Sequence, residues 1–269
     1  LVESGMGKIR KTLAEAAERK IFTPEQTKGI LNNIRGTTDL EAVRDADIVI
    51  EVIFEDLAIK SALFKKLDAI CGERTVLASN TSSLSITELS SFVKRRDRFL
   101  GLHFFYHPAK NKLLEIVPAE GTSGATVSLA LAFSKLIGKT AIRVKDAPGF
   151  AVNRFFVPWL NEATRILEEG AANPATIDSV AKNVFGIGMG PFELMNATGV
   201  PIAYHSTVSL GKELGPFYAP SARLKQQFEK GAPWELEGKV DPGAGTAVEE
   251  RLLGAVFAVA CRLVEDGVA

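Results

Sequence analysis

Three short stretches hold the side chains that can do chemistry. Asn80-Thr81-Ser82-Ser83 gathers hydroxyls and an amide directly after an apolar run, Thr75-Val76-Leu77-Ala78-Ser79. His103 sits near the end of a second run, Phe99-Leu100-Gly101-Leu102-His103-Phe104, and Glu115 lies inside a third, Leu113-Leu114-Glu115-Ile116-Val117. A histidine at a strand end with a carboxylate in reach is the layout of a general base, since the anion fixes the tautomer and stabilises the imidazolium once a proton is taken. The hydroxyl of Ser82 and the amide of Asn80 suit positioning of an alcohol or carbonyl oxygen. Spacing alone leaves two plainer readings open: Glu115 pairs with a surface lysine, and His103 is a hydrogen-bonded core residue.

The elements that must carry these residues read as follows. Residues 5–20 have Ile9, Leu13, Ala16 and Ala17 at helical spacing, and Thr23-Pro24-Glu25-Gln26 is a helix start with N-cap, proline at the first position and a reciprocal Gln. That second helix is expected to end near Gly36. Asp47–Ile53 is an apolar run without alternation, which predicts a strand buried on both faces. Leu57, Leu63, Phe64, Leu67 and Ile70 form a helical stripe, Ser85-Ile86-Thr87-Glu88 has capping-box form, and residues 127–137 form a helix stopped by Gly138. Ala141-Ile142-Arg143-Val144 is a last strand. Strands alternating with helices predict a mostly parallel sheet covered on both faces. From Phe150 onward only helical patterns occur. The fold class expected is an α/β Rossmann-like domain over residues 1–147, followed by an all-α domain over 148–245.

Composition narrows the function classes. The chain has 269 residues, with 32 basic and 32 acidic side chains, so nothing general draws it to nucleic acid or to anionic lipid. Cys71 and Cys261 are too few and too separated for a disulfide framework or a zinc site, and His103, His107 and His205 lack ligand spacing with them. Buried free thiols in a reducing, cytoplasmic setting are expected, with no metal and no membrane span. A parallel sheet invites a search for a phosphate-binding glycine turn. Gly186-Ile187-Gly188-Met189-Gly190 follows a helical stretch rather than a strand, and Gly5-Met6-Gly7 has no strand ahead of it. The turn is therefore expected to be absent from this chain, which opens Leu1-Val2-Glu3 without a methionine.

Five motifs in one order resemble the 3-hydroxyacyl-CoA dehydrogenase family: Ser79-Asn80-Thr81-Ser82-Ser83-Leu84-Ser85-Ile86, Gly101-Leu102-His103-Phe104-Phe105, Lys112-Leu113-Leu114-Glu115-Ile116-Val117, Lys145-Asp146-Ala147-Pro148-Gly149-Phe150-Ala151-Val152-Asn153-Arg154, and Met189-Gly190-Pro191-Phe192-Glu193-Leu194. The resemblance implies NAD-dependent oxidation of an (S)-3-hydroxyacyl-CoA to the 3-oxoacyl-CoA. By position it implies that His103 is the catalytic base, that Glu115 is its carboxylate partner, and that Ser82 and Asn153 bind the reacting oxygen of the acyl-CoA substrate. It also implies that Glu55, Lys60 and Asn80 line the nicotinamide end of the cofactor site. A dehydrogenase family with a lysine base is disfavoured, because no lysine occupies the His103 position.

The chain departs from the family pattern in three places. The opening strand, glycine turn, helix and second strand are missing, so a non-catalytic fragment that only binds acyl-CoA is the alternative function. Tyr106-His107-Pro108 stands where the family has Asn-Pro after His-Phe-Phe, and Asn196 stands where it has Asp. There is also an internal repeat. Arg154, Ala163, Arg165, Glu168 and Gly170 match Arg251, Ala260, Arg262, Glu265 and Gly267 at one constant offset. Multifunctional members of the family carry two successive helical domains, which makes residues 246–269 the expected opening of a truncated second helical repeat. Its apolar stripe of Leu252, Leu253, Val256, Val259, Ala260 and Leu263 then lacks a full partner, and a homodimer or a larger multifunctional chain is expected to cover it.

Overall fold

The computed structural model describes residues 1–269. Two helices open it, α1 (Val2–Glu18) and α2 (Pro24–Asn32), packed on each other and burying no residue fully. The Thr23 hydroxyl accepts from Gln26 N at 3.2 Å, and the Gln26 side chain accepts from Thr23 N at 2.8 Å, so the capping box forms as the spacing predicts. Helix α2 stops about a turn before Gly36. Asn33 N and Ile34 N each turn back three residues, to Ile30 and Leu31, which tightens the last turn at a pair of asparagines that favour helix ends.

Five strands follow: β1 (Ile48–Glu51), β2 (Val76–Ser79), β3 (Phe99–Phe104), β4 (Leu113–Pro118) and β5 (Thr140–Arg143), in the spatial order β1-β2-β3-β4-β5. Helices α3 (Leu57–Ile70), α4 (Ile86–Ser90) and α5 (Gly124–Leu136) make the crossovers that β1/β2, β2/β3 and β4/β5, all parallel, require. The β3/β4 pair is antiparallel and is joined by the 105–112 loop without a helix. Strands β2, β3 and β4 are buried on both faces, as their unbroken apolar runs predict. Strand β1 is not: Ile48, Val49 and Ile50 are only half-buried, because β1 stands at the sheet edge with a neighbour on one side.

The second half is helical: α6 (Val152–Glu168), α7 (Pro174–Phe185), α8 (Pro191–Thr198), α9 (Val200–Leu214), α10 (Ala222–Lys230) and α11 (Gly245–Glu265). One core joins the two halves, with Phe64, Leu67 and Phe99 of the sheet domain packed together with Phe150, Val157, Leu210 and Val259 of the helical one. A second core lies inside the helices around Trp159, Ile166, Phe192 and Met195. The stripe of α11 is covered within the chain: Leu252, Val259 and Leu263 are buried against α6 and α7, so this stripe does not itself ask for a second copy. Cys71 is buried, but Cys261 lies on the exposed side of α11, where the helix turns away from its packed face. No helix is long and apolar enough to cross a membrane.

The glycines of residues 186–190 punctuate helices. Gly186, at φ +61°, ends α7. Gly190 precedes α8 and has no side chain to cap it, so the buried Asp178 of α7 does so, accepting from Phe192 N at 2.8 Å and Glu193 N at 3.0 Å. A Cβ on Gly190 would stand 2.5 Å from the Cα of Asp178, so only glycine admits this approach. Burial pushes the Asp178 carboxyl up to about 6, with the neighbouring Glu193 charge adding to it and the two amides and Lys182 opposing. Asn196 pairs both ways with Trp234: its Nδ2 donates to the carbonyl at 2.9 Å and its Oδ1 accepts from the amide at 2.7 Å. An aspartate could not donate, which accounts for the amide at this position.

Two substitutions test these packing claims. Gly190→Ala should destabilise by about 1–3 kcal/mol through overpacking against Asp178, and Asn196→Asp by about 1–3 kcal/mol through a carbonyl facing a carboxylate. Denaturant unfolding at pH 7 would check both.

Candidate active site

Antiparallel pairing of β3 and β4 sets His103 directly opposite Glu115. Residues opposite in such a ladder project to the same face, so one register choice brings ring and carboxylate together. His103 Nδ1 lies 2.7 Å from Glu115 Oε2, with His103 5 % and Glu115 0 % exposed. The other carboxylate oxygen, Oε1, accepts from Ala151 N at 2.9 Å and Val152 N at 2.8 Å, the first amides of α6. A buried charge needs such full pairing, and a helix N-terminus favours an anion. With the acceptor fixed, the imidazole donates from Nδ1, and Nε2 is left with its lone pair. Phe105 and Phe150 flank the ring at centroid distances of 4.5 and 5.7 Å. Phe105 is therefore the ring beside His103. Tyr106 is exposed and stands edge-on to His107, itself exposed on the loop.

Asn80 and Ser82 follow the carboxyl end of β2. Asn80 is half-buried, and its Oδ1 accepts from Phe104 N at 2.8 Å, tying the β2 end to the residue after His103. Asn153, in the first turn of α6, donates from Nδ2 to the Ser82 carbonyl at 3.4 Å. The Ser82–Ser83 segment is held from below by Glu55, whose Oε1 accepts from Thr81 Oγ1, from Ser82 N at 3.2 Å and from Ser83 Oγ at 2.9 Å. Glu55 thus does more than flank α3, which Asp56 caps by accepting from Ile59 N. Burial works against the Glu55 charge, but the Thr81 and Ser83 hydroxyls and the Lys60 ammonium outweigh it and hold the carboxyl below the usual range.

Lys60 is 1 % exposed, so it cannot itself line an open cofactor site. Its Nζ lies 2.7 Å from Glu51 Oε1 and 3.1 Å from Glu55 Oε2. Glu51 is the residue that sequence reasoning passed over. It also accepts from Ser79 Oγ at 2.6 Å and Ile53 N at 2.6 Å, so it fastens β1, β2 and α3 at their site-facing ends. Its signal was legible: one carboxylate closing the otherwise apolar strand Ile48-Val49-Ile50-Glu51. Asp146 was also unassigned. It accepts from Ser85 Oγ at 2.8 Å, Ile86 N at 3.0 Å and Thr87 N at 2.8 Å, so the expected reciprocal cap of α4 is completed from the interdomain segment.

A cleft of about 510 Å³ opens between the 82–88 segment and α9, lined by Ser82, Ser85, Asn153, Ser206, Ser209 and Glu213 among others. Beside it, the carboxyl ends of the parallel strands β1 and β2 carry Glu55 and Asn80 next to exposed apolar side chains, Val52 (68 %) and Phe54 (81 %). Ligands of open α/β sheets bind at such strand ends. Exposed apolar side chains with a carboxylate and an amide on the same strand ends are groups that suit the ring and ribose hydroxyls of a nicotinamide nucleotide.

Residues 1–147 match the NAD-binding domain of 3-hydroxyacyl-CoA dehydrogenase, and residues 149–239 match that enzyme's C-terminal domain. The chain is 38 % identical to a probable 3-hydroxybutyryl-CoA dehydrogenase of Bacillus subtilis, over 85 % of its own length and 80 % of the relative's. It is 36 % identical to the alpha subunit of the fatty acid oxidation complex of Shewanella amazonensis, over 82 % of its length, and spans 31 % of that larger protein. Its fold superposes on (S)-3-hydroxybutyryl-CoA dehydrogenase PaaH1 from Ralstonia eutropha with a TM-score of 0.83 and 33 % identity, covering 89 % of this chain and 85 % of that one. With two family domains matched in sequence and the same architecture in space, the chain belongs to the 3-hydroxyacyl-CoA dehydrogenase family.

Proposed function

We propose that this chain oxidises an (S)-3-hydroxyacyl-CoA to the 3-oxoacyl-CoA with NAD, using His103 as the base. The observation that carries the reading is the 2.7 Å contact of His103 Nδ1 with a Glu115 carboxylate whose other oxygen is saturated by α6 amides. That contact commits Nδ1 as donor and leaves Nε2 to take the 3-hydroxyl proton. Glu115, itself fully buried, then faces the charge that develops on the ring. Ser82 and Asn153, one from each domain, hold the reacting oxygen at the head of the cleft. Glu55 and Asn80 hold the nicotinamide end of the cofactor, which when bound supplies the hydride acceptor. Lys60, buried between Glu51 and Glu55, acts on that end by orienting Glu55.

For partners, acyl-CoA is the substrate, and the likeness to the alpha subunit of the fatty acid oxidation complex supports work within a larger multifunctional chain, a homodimer being the other arrangement. Residues 148–245 form the substrate-side helical domain in this reading, and residues 246–269 open a second repeat of it.

Mixing the protein with (S)-3-hydroxybutyryl-CoA and NAD should produce NADH absorbance. His103→Ala should lower kcat on the order of 10²–10⁴-fold, and Glu115→Gln about 10²-fold or more through loss of the tautomer-fixing anion. Calorimetric binding of the CoA ester with no NADH formed in wild type would overturn the proposal in favour of an acyl-CoA-binding protein. Glu55→Gln should raise KM for NAD about tenfold, as loss of one charge-assisted hydrogen bond implies. Because the folded pKa of Glu55 is lowered, its stabilising hold is complete above the ordinary glutamate value of about 4.3 and fades as pH falls through the lower folded value. The stability gap between wild type and Glu55→Gln, followed by thermal melts, should therefore be widest near neutral pH and close in acid.

A further inference from the structure

The family's C-terminal domain is matched only to residue 239, yet the helix beyond it packs on the segment that holds Glu115. Segment 144–154 carries the hydrogen bonds and the ring contact that meet the His103–Glu115 pair from this side: the Ala151 and Val152 amides on Glu115, and the Phe150 ring against His103. Asn153, on the same turn, meets Ser82. This segment holds an awkward backbone. Gly149 and Phe150 have φ of +72° and +48°, and a Cβ at Gly149 would stand 2.9 Å from Arg154 N. A left-handed phenylalanine persists only where its surroundings over-determine it.

The end of α11 and the residues just after it supply much of that determination. Lys145 N donates to the Val268 carbonyl at 2.9 Å, bracketing the segment at its start. The Arg154 guanidinium, whose side chain is 5 % exposed, pairs with Asp266 and brackets it at its end. Val259, Leu263 and Val268 share one core with Val144, Phe150 and Ala151. We propose that the α11 terminus is a positioning element for the base, in which Asp266, through Arg154, sets the α6 amides that hold Glu115.

The internal repeat provides the control. Arg154 and Arg251 are repeat equivalents, as are Glu169 and Asp266, and the two helices pair reciprocally: Arg154 with Asp266 at one end, Arg251 with Glu169 and Glu162 at the other. Gly170 (φ +70°) and Gly267 (φ +62°) end the two helices in the same left-handed way. The same helix pair is thus fastened twice, once beside the base and once far along α6 from it.

The proposal rests on the dehydrogenase reading, and two measurements separate them. In turnover, Asp266→Asn should lower kcat about tenfold, as sub-ångström misplacement of a reacting group does, with KM for NAD within about twofold. Arg251→Gln should leave kcat unchanged while lowering Tm at least as much, and Asp266→Glu should restore most of kcat. In proton NMR without substrate, the downfield Nδ1–H resonance of His103 should shift or broaden in Asp266→Asn and stay in place in Arg251→Gln. Equal effects of the two breaks on kcat or on the resonance, or no effect of Asp266→Asn on either, would overturn the positioning role. Absence of turnover in wild type would sink the dehydrogenase reading alone, and the NMR comparison would still decide this one.

Discussion

A single buried carboxylate organises this protein. Glu115 is fully enclosed, and a charge so placed is tolerable only when each oxygen is spoken for. One oxygen is taken by His103 on the neighbouring strand and the other by the first amides of α6. The pairing that commits His103 Nδ1 to Glu115 also joins the sheet domain to the helical domain, because the helix that satisfies Glu115 is the one that carries Asn153. The geometry of the His103–Glu115 pair and the orientation of the domains are therefore not independent features. Moving α6 away would strand the carboxylate.

The same device recurs on a smaller scale. Asp146, from the interdomain segment, takes the amides at the start of α4, and Asp178 takes those at the start of α8. In each case a helix N-terminus is capped by a carboxylate distant in sequence, so the cap fixes tertiary position as well as helix register. At the carboxyl ends of β1 and β2, Glu51, Lys60 and Glu55 form a relay from β1 through α3 to the Thr81–Ser83 segment, buried at Glu51 and Lys60 and exposed at Glu55. Its central lysine is spent on two carboxylates and is itself enclosed, whereas the Glu55 side chain keeps part of its surface exposed.

Much of this was legible in the order of residues. The apolar runs at 76–79, 99–104 and 113–118 are strands, and the loss of strand pattern after Phe150 marks the passage to helices. The His103 and Glu115 candidates emerged from strand-end position and residue type alone, but their meeting depended on β3 and β4 running antiparallel, which no local pattern declared. Glu51 escaped notice because its partners lie on two other elements. The exposure of β1 escaped for the related reason that an apolar run does not say how many neighbours a strand has. The stripe on α11 was visible as a stripe, but what covers it was not.

Local spacing, capping residues and periodicity determined which segments became helices and strands, because those choices are set by interactions within a few residues. They also determined that one imidazole and one carboxylate would stand on adjacent strand-like runs. Only the tertiary structure decided which face they share, that α6 amides complete the carboxylate, and that α11 reaches back to the segment beside the base. Those outcomes turn on sheet register and on the pairing of buried charge across distant parts of the chain, and such pairing is defined only once the chain has closed on itself.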